Sequence, residues 1–183
     1  MKMTVCCLLV FSLSVQADTA KKFKGFEQLV GHCWQATFPD GLKVDTHCFS
    51  DVYSGAFIKD QHVVCGEGQP YLGETWYVFG HNNNQVSYRY YNSMGGVSDG
   101  SVEYKDNQLL FPDETYEKNG QQIVYRSNWA LSEDQYQSQM WQMDAKVESG
   151  WKKIWEMTFK KIELNKQNVA QYNEKHQLTC YQD

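Results

Sequence analysis

Residues 29–49 read Leu-Val-Gly-His-Cys-Trp-Gln-Ala-Thr-Phe-Pro-Asp-Gly-Leu-Lys-Val-Asp-Thr-His-Cys-Phe, two strand-like runs on either side of Pro39-Asp40-Gly41. Proline fixes φ and glycine permits positive φ, so this tripeptide predicts a tight turn. With Pro39 to Leu42 as the loop, counting outwards places Cys33 opposite Cys48 in an antiparallel hairpin. The register therefore brings two cysteines face to face at the open end of the first hairpin.

The N-terminal segment has the three parts of a secretory signal peptide. Lys2 supplies the positive charge, Val5 to Val15 the apolar core, and Val15-Gln16-Ala17 the small residues of a cleavage site. The apolar core is too short to span a bilayer, and no other stretch of the chain approaches that length. We therefore predict an exported protein, periplasmic or secreted, without a transmembrane segment. The sequence leaves its oligomeric state open.

Six cysteines are present, and two of them, Cys6 and Cys7, lie within the signal segment. The others are Cys33, Cys48, Cys65 and Cys180, an even number that predicts two disulfides in an exported protein. Three connectivities are possible. The hairpin register favours Cys33–Cys48, which leaves Cys65–Cys180 to tie the C-terminal tail to the domain. The alternative is that these thiols are free and buried.

The chain after residue 17 is long enough for one domain with a proper core. We predict a barrel domain over residues 18–162 and a tail over residues 163–183. The formal charge of −5 and the scattered lysines argue against a nucleic-acid surface. We therefore expect no nucleic-acid partner.

The domain is predicted to open with a short helix, because Phe23, Phe26, Leu29 and Val30 recur at helical spacing. Short strand-like runs follow, separated by turn signals at the regular spacing of an all-β domain. The strand candidates are Cys33–Phe38, Leu42–Phe49, Gly55–Cys65, Tyr71–Phe79, Gln85–Tyr91, Val97–Tyr104, Gln108–Glu117, Gln121–Trp129, Gln135–Met143 and Trp151–Lys161. Closure into a barrel removes the exposed edges of such a meander. The predicted fold is an all-β, single up-and-down antiparallel barrel of about ten strands with a short N-terminal helix.

Several motifs carry a resemblance to known proteins. The opening Leu29-Val-Gly-x-x-Trp34, followed by the meander, resembles the calycin-like barrels, the broad group that holds lipocalins and fatty-acid-binding proteins. Over about residues 26–160 the chain looks like a group of exported bacterial proteins of unknown activity. The motifs that carry this second likeness are Cys33-Trp34, Phe38-Pro-Asp-Gly41, Asp45-Thr-His-Cys-Phe49, His62-Val-Val64, Gly73-Glu-Thr75, Tyr91-Asn-Ser93 and Gly95-Gly-Val-Ser98. The resemblance implies the barrel fold and no particular activity.

Histidine and cysteine occur close together at His32-Cys33, at His47-Cys48, and at His62 with Cys65. Both residue types are zinc ligands. Neighbours on a strand, and residues three apart, point to opposite faces, so neither member of a pair can join its partner in one site. Export also favours disulfides over thiolate ligands. We predict no metal at these pairs and no cofactor, and no haem attachment motif is present.

Enzyme motifs are missing from the sequence. There is no Gly-x-Ser-x-Gly, no His-Glu-x-x-His and no phosphate-binding glycine loop. We interpret the carboxylates near predicted turns, Asp99, Glu103, Asp113 and Glu114, as solvated residues. No catalytic residue is predicted, although an enzyme whose site depends on the fold alone stays an alternative.

Two arginines exist, Arg89 and Arg126, and each lies within a strand beside tyrosines: Tyr88 and Tyr91 near the first, Tyr125 next to the second. Arginine is preferred where a planar contact to carboxylate or phosphate is needed. One interpretation is that these residues hold the acidic head of a ligand, with Arg89 as the stronger candidate. The other is that each arginine pairs with Glu74, Glu103 or Asp113, or stacks on a tyrosine.

We therefore predict an exported barrel that binds a small apolar or amphipathic, acidic-headed ligand. The alternative is a barrel filled by its own aromatic side chains, with a structural or interaction role and no small-molecule ligand.

Overall fold

The computed structural model describes residues 22–80, 84–118, 120–165 and 167–181, so the predicted signal peptide lies outside the described residues. Within these ranges the regular elements are strands, and their bounds are as follows: β1 Cys33–Thr37, β2 Val44–Val52, β3 Phe57–Cys65, β4 Tyr71–Gly80, β5 Gln85–Asn92, β6 Val97–Lys105, β7 Gln108–Leu110, β8 Glu114–Lys118, β9 Gln121–Leu131, β10 Gln135–Met143, β11 Trp151–Ile162, β12 Ala170–Tyr172 and β13 Leu178–Cys180.

The main sheet is a closed antiparallel barrel, as predicted. Its strand order runs β10-β11-β1-β2-β3-β4-β5-β6-β7-β9, and an additional pairing of β10 with β9 closes the ring. Ten strands form the ring, and β8 is a further strand that pairs with β9. Closure pairs both edges of the sheet and so satisfies the backbone groups that an open edge would expose.

The predicted strand Gln108–Glu117 is divided into β7 and β8. Both pieces pair with β9, Leu110 opposite Asn128 and Glu114 opposite Tyr125. Pro112 lies between them, and because proline has no N–H it cannot donate to a ladder. The interruption is therefore a local consequence of one residue.

The first hairpin has the predicted register. Cys33 lies opposite Cys48, and the amide of Phe38 donates to the carbonyl of Lys43 over 2.9 Å. The structure joins Cys33 to Cys48 and Cys65 to Cys180, which is the connectivity that the register favours.

Residues 23–30 form consecutive turns in place of the predicted helix. The amide of Phe26 donates to the carbonyl of Phe23, and the amide of Leu29 to that of Phe26, both over 2.9 Å. Gly25 has a φ of 89°, which a continuous right-handed helix does not contain. The apolar spacing is still used, because Phe23, Phe26 and Leu29 are fully buried against the barrel.

Two apolar clusters lie on opposite faces of the sheet. The main core is inside the barrel and is rich in aromatic rings, among them Trp34, Tyr136 and Phe159. A second cluster contains Cys48, Val63 and Cys65 from β2 and β3 together with tail residues such as Leu178. The tail therefore covers the outer face of β2 and β3, and these two strands are buried on both sides.

Candidate functional sites: an outer groove and an interior cluster

The first predicted ligand contacts lie on two different faces of β5. Arg89 is exposed on the outer face, with its guanidinium 5.8 Å from the ring centroid of Tyr91. Tyr88 is buried inside, where its hydroxyl donates to Glu114 Oε1 over 2.9 Å. Strand alternation accounts for this separation, because adjacent residues point in opposite directions. Arg89 is therefore exposed to solvent, whereas Tyr88 lies in the core.

The second arginine is held rigidly at the outer surface. Arg126 donates from Nε and Nη2 to the two carboxylate oxygens of Asp113, over 2.8 and 2.9 Å. Its guanidinium also lies 3.9 Å from the ring centroid of Trp151. A pairing of Arg126 with Asp113 is one of the structural roles that the sequence predicted for the arginines. Tyr125, the adjacent residue, contacts the ring of Tyr116 at a centroid distance of 5.7 Å.

Arg126 borders a groove of about 610 Å³, which we call the outer groove. Its walls combine apolar surface with this one ion pair, and the main lining residues are Leu110, Phe111, Asp113, Arg126, Trp141 and Trp151. Trp141 lies directly opposite Arg126 on the neighbouring strand. The volume falls within the range of small-molecule sites, which are mostly apolar with a few fixed polar groups. Arg126 therefore lies beside a concavity of ligand size.

A polar cluster lies inside the barrel, on the hairpin of β2 and β3. Asp45 and His47 come from β2, and Asp60 and His62 from β3; together we call them the interior cluster. Residues two apart share a face of a strand, and the register places His47 directly opposite His62. Asp45 and Asp60 are 6% and 2% exposed, which is unusual for carboxylates and requires partners.

Three of these side chains converge on one point. His47 Nε2 lies 3.2 Å from His62 Nδ1 and 3.4 Å from Asp45 Oδ2. His62 Nδ1 lies 3.3 Å from the other oxygen, Asp45 Oδ1. That oxygen is buried and has no hydrogen-bond partner among the residues that the structure describes. Asp45, His47 and His62 together form a group that could hold a metal ion.

In each histidine, the ring nitrogen that points away from Asp45 has a partner of its own. His47 Nδ1 lies 2.8 Å from Asp60 Oδ2, and His62 Nε2 lies 3.1 Å from the hydroxyl of Tyr90. The Tyr90 hydroxyl lies 2.6 Å from that of Tyr71. These contacts fix both rings, since each imidazole is held from the side that faces away from the convergence point.

The electrostatics of the interior cluster are dominated by the two carboxylates. Burial alone would lower the pKa of His47, but the charges of Asp60 and Asp45 outweigh it and raise the pKa to about 10. Burial opposes ionisation of Asp45, yet the nearby charges of His47 and His62 hold its pKa well below the usual value. In Tyr90, burial and the hydrogen bond with Tyr71 raise the pKa, so the hydroxyl keeps its proton.

Gly73 on β4 makes room for His62. The two residues are directly opposite each other, and a Cβ at Gly73 would lie 2.2 Å from both Nε2 and Cδ2 of His62. The imidazole therefore occupies the space that a side chain at position 73 would need.

The sequence contains a signal for the interior cluster that is missed when only adjacent His-Cys pairs are considered. Asp45-Thr-His47 and Asp60-Gln-His62 repeat one Asp-x-His pattern on consecutive strands, and a spacing of two keeps each pair on one face. The His-Cys neighbours do separate, because Cys48 lies in the outer disulfide cluster while His47 contacts Phe159 inside.

No family model matches the chain, and no curated protein is significantly similar to it. Its fold is that of a closed antiparallel barrel, which is compatible with the calycin-like class. In the described ranges, no helix has the length and apolar character needed to cross a membrane.

Proposed function

We propose that this protein is an exported, calycin-like barrel that binds a small amphipathic organic anion in the outer groove. The observation that carries the proposal is the position of Arg126 at the edge of an apolar concavity of about 610 Å³. Export is supported by the signal-like segment at residues 1–17 and by two disulfides, which persist in oxidising compartments.

The geometry of Arg126 suits it to an acidic head group. Asp113 uses the edge of the guanidinium formed by Nε and Nη2. Guanidinium has five N–H donors in a planar fork, so the edge that contains Nη1 remains for a second oxyanion. Asp113 and Trp151 hold the fork in place, and a preorganised donor loses less entropy on binding than a free one.

The apolar part of the ligand has a matching surface. Trp141, Trp151 and Leu110 line the groove beside the arginine. Aromatic walls bury a large area at low conformational cost and accept a flat or extended body. The ligand class is therefore a carboxylate, sulfonate or phosphate that carries an aromatic or aliphatic body.

A second candidate function is that of a filled barrel with a structural or interaction role. Aromatic rings pack closely inside: Tyr136 stacks on Phe159 at a centroid distance of 4.6 Å, and Phe26 lies 4.5 Å from Tyr77. Such packing favours a solid core over an interior ligand chamber. In that case the outer groove would bind no small molecule.

Titration with 1-anilinonaphthalene-8-sulfonate, an aromatic anion of the proposed class, separates the two functions. We expect saturable binding to the wild type and at least a tenfold weaker Kd for Arg126→Leu, which corresponds to about 1.4 kcal/mol. Arg126→Lys keeps the charge but loses the planar fork, and it should lie between the two.

Arg89→Leu is the matched control, because it removes the other exposed arginine, which stacks on Tyr91. Its affinity for the probe should equal that of the wild type. Equal loss in both variants would indicate a general charge effect, and no saturable binding to the wild type would reject the ligand function in favour of the filled barrel.

A further inference from the structure

We propose that the interior cluster is a binding site for one divalent transition-metal ion, with Asp45, His47 and His62 as the protein ligands. The site is separate from the outer groove and does not depend on it. Its residues come from two strands that are buried on both faces, which gives the rigid support that a metal site requires.

The candidate ligand atoms lie close enough together to contact one ion. Atoms bound tetrahedrally to zinc at about 2.0–2.1 Å lie about 3.3–3.4 Å apart. Here the two imidazole nitrogens are 3.2 Å apart, and they lie 3.4 and 3.3 Å from the two oxygens of Asp45. Each imidazole nitrogen thus lies near a different oxygen of the same carboxylate, and the three candidate ligand atoms lie within 4.8 Å of one another. An ion between them would be bound by both histidines and by one or both oxygens of Asp45.

The far side of each histidine is arranged as in known metal sites. A metal-ligating histidine donates its other N–H to a carboxylate or a similar acceptor, which fixes the tautomer and aims the lone pair at the ion. Asp60 accepts from His47 Nδ1 at 2.8 Å, and Tyr90 accepts from His62 Nε2 at 3.1 Å. Both imidazoles can therefore be neutral, with their free lone pairs directed towards Asp45.

The charge and the hydrogen bonding of the interior cluster both favour a bound cation beside Asp45. The ion-pair partners that the described residues give Asp45 and Asp60 are histidines, with no lysine or arginine among them. A divalent ion would balance the two buried carboxylates while leaving both imidazoles neutral. In addition, Asp45 Oδ1 is a buried oxygen that lies 3.3 Å from a histidine nitrogen and has no hydrogen-bond partner within the described part of the chain. An unpartnered acceptor in such a place is costly unless an ion or water satisfies it.

The donor set selects the class of metal. Calcium and magnesium prefer oxygen ligands alone, whereas imidazole with carboxylate suits zinc, copper, iron and nickel. Three protein ligands leave at least one position for an exogenous ligand, as in catalytic zinc sites. Zinc, which needs no redox partner, is the simplest occupant in an oxidising compartment.

The same residues have one competing arrangement without metal, in which a protonated His47 bridges Asp45 and Asp60. The two arrangements differ in a direct way, because only the first takes up an ion with defined stoichiometry. Calorimetric titration of oxidised, EDTA-treated protein with zinc tests this. We expect one ion per chain and, with cobalt(II) in its place, the visible d–d bands of a low-symmetry site.

Substitutions locate the ion. His47→Gln and His62→Gln should each weaken zinc binding at least 100-fold, and Asp60→Asn, which alters only the partner of a ligand, by 10- to 100-fold. His176→Gln is the matched control, because His176 is exposed in the tail. Circular dichroism checks that each variant is folded, and Asp45→Asn replaces any histidine variant that is not.

Loss of the ion in both ligand variants, with retention in His176→Gln, supports the site. The proposal is overturned if the wild type binds neither zinc nor cobalt stoichiometrically. It is equally overturned if zinc affinity is unchanged in folded His62→Gln and Asp45→Asn, or if it disappears in the His176 control.

Discussion

Replacing Gly73 with alanine should disturb the interior cluster more than its size suggests. The added methyl would lie 2.2 Å from Nε2 and Cδ2 of His62 and 2.7 Å from Cε2 of Tyr90. Ordinary contact begins at 3.4 Å, so the imidazole must retreat by 3.4 − 2.2, or about 1.2 Å. The contacts of His62 with His47 and Tyr90, at 3.2 and 3.1 Å, cannot survive such a shift.

The expected cost is about 3–5 kcal/mol in the free energy of unfolding, because overpacking and the loss of two hydrogen bonds both contribute. Overpacking a filled interior costs about 1–3 kcal/mol, and each lost hydrogen bond adds roughly 1 kcal/mol. Urea unfolding of metal-free protein measures the change, and zinc titration of the same variant should show a weaker Kd. The backbone itself tolerates alanine, because Gly73 is not among the residues with positive φ.

Gly100→Ala is the matched control. A Cβ there would lie 2.7 Å from Pro112 Cγ and 3.0 Å from Tyr88 Cε1, a smaller overlap far from the histidines. It should cost less stability and leave zinc affinity unchanged. Surface substitutions usually change the free energy of unfolding by no more than about 0.5 kcal/mol. If the free energy of unfolding of Gly73→Ala lies within that margin of the wild-type value, the predicted steric clash is refuted, whether or not a metal binds.

Two further predictions concern stability. Replacing Cys33 and Cys48 by serine should lower the free energy of unfolding by about 3 kcal/mol, because on the chain-entropy model the bridge closes a separation of 15 residues. Replacing Cys65 and Cys180 should lower it by roughly 5 kcal/mol, because their separation is 115 residues. Urea unfolding that gives the opposite order would contradict this. In metal-free protein the pKa of His47 is raised from 6.5 to about 10. Its stabilising contribution is therefore complete below pH 6.5 and is lost as the pH rises through 10, and Asp60→Asn should flatten this alkaline loss in unfolding curves.

The sequence predicts the barrel because its signals are local. A turn tripeptide fixes the register of the first hairpin, and from that register follows the pairing of Cys33 with Cys48. Strand alternation and turn signals account for the other strands. The predicted helix is not formed over residues 23–30 for a local reason as well, since Gly25 adopts a φ of 89° there.

The interior cluster depends on a register that the sequence leaves open. His47 faces His62 because β2 and β3 are joined by a turn in which Tyr53, Ser54 and Gly55 all have positive φ. Non-glycine residues seldom adopt that conformation, so composition places a turn after Phe49 without fixing its length or the register that it sets. A slip of one residue would move the histidines to different faces.

The outer groove has no local signal at all. Arg126 on β9 pairs with Asp113, which lies just before β8, and Trp151 reaches it from β11. These residues come together only when β8, β9, β10 and β11 have paired in one register. The rarity of arginine therefore singles out Arg126 in the sequence, whereas the groove and Trp151 beside it become visible only in the folded protein.

Because β2 and β3 are covered on both faces, the hairpin that carries the interior cluster should open only rarely. Amide protons in such strands exchange with solvent only in the largest openings of a protein, because core, tail and two disulfides hold them together. Fraying elsewhere leaves this hairpin intact. Because the side chains of His47 and His62 are 11% and 14% exposed, an ion can reach them without opening of the hairpin, so bound metal should exchange with solvent far faster than these amide protons do.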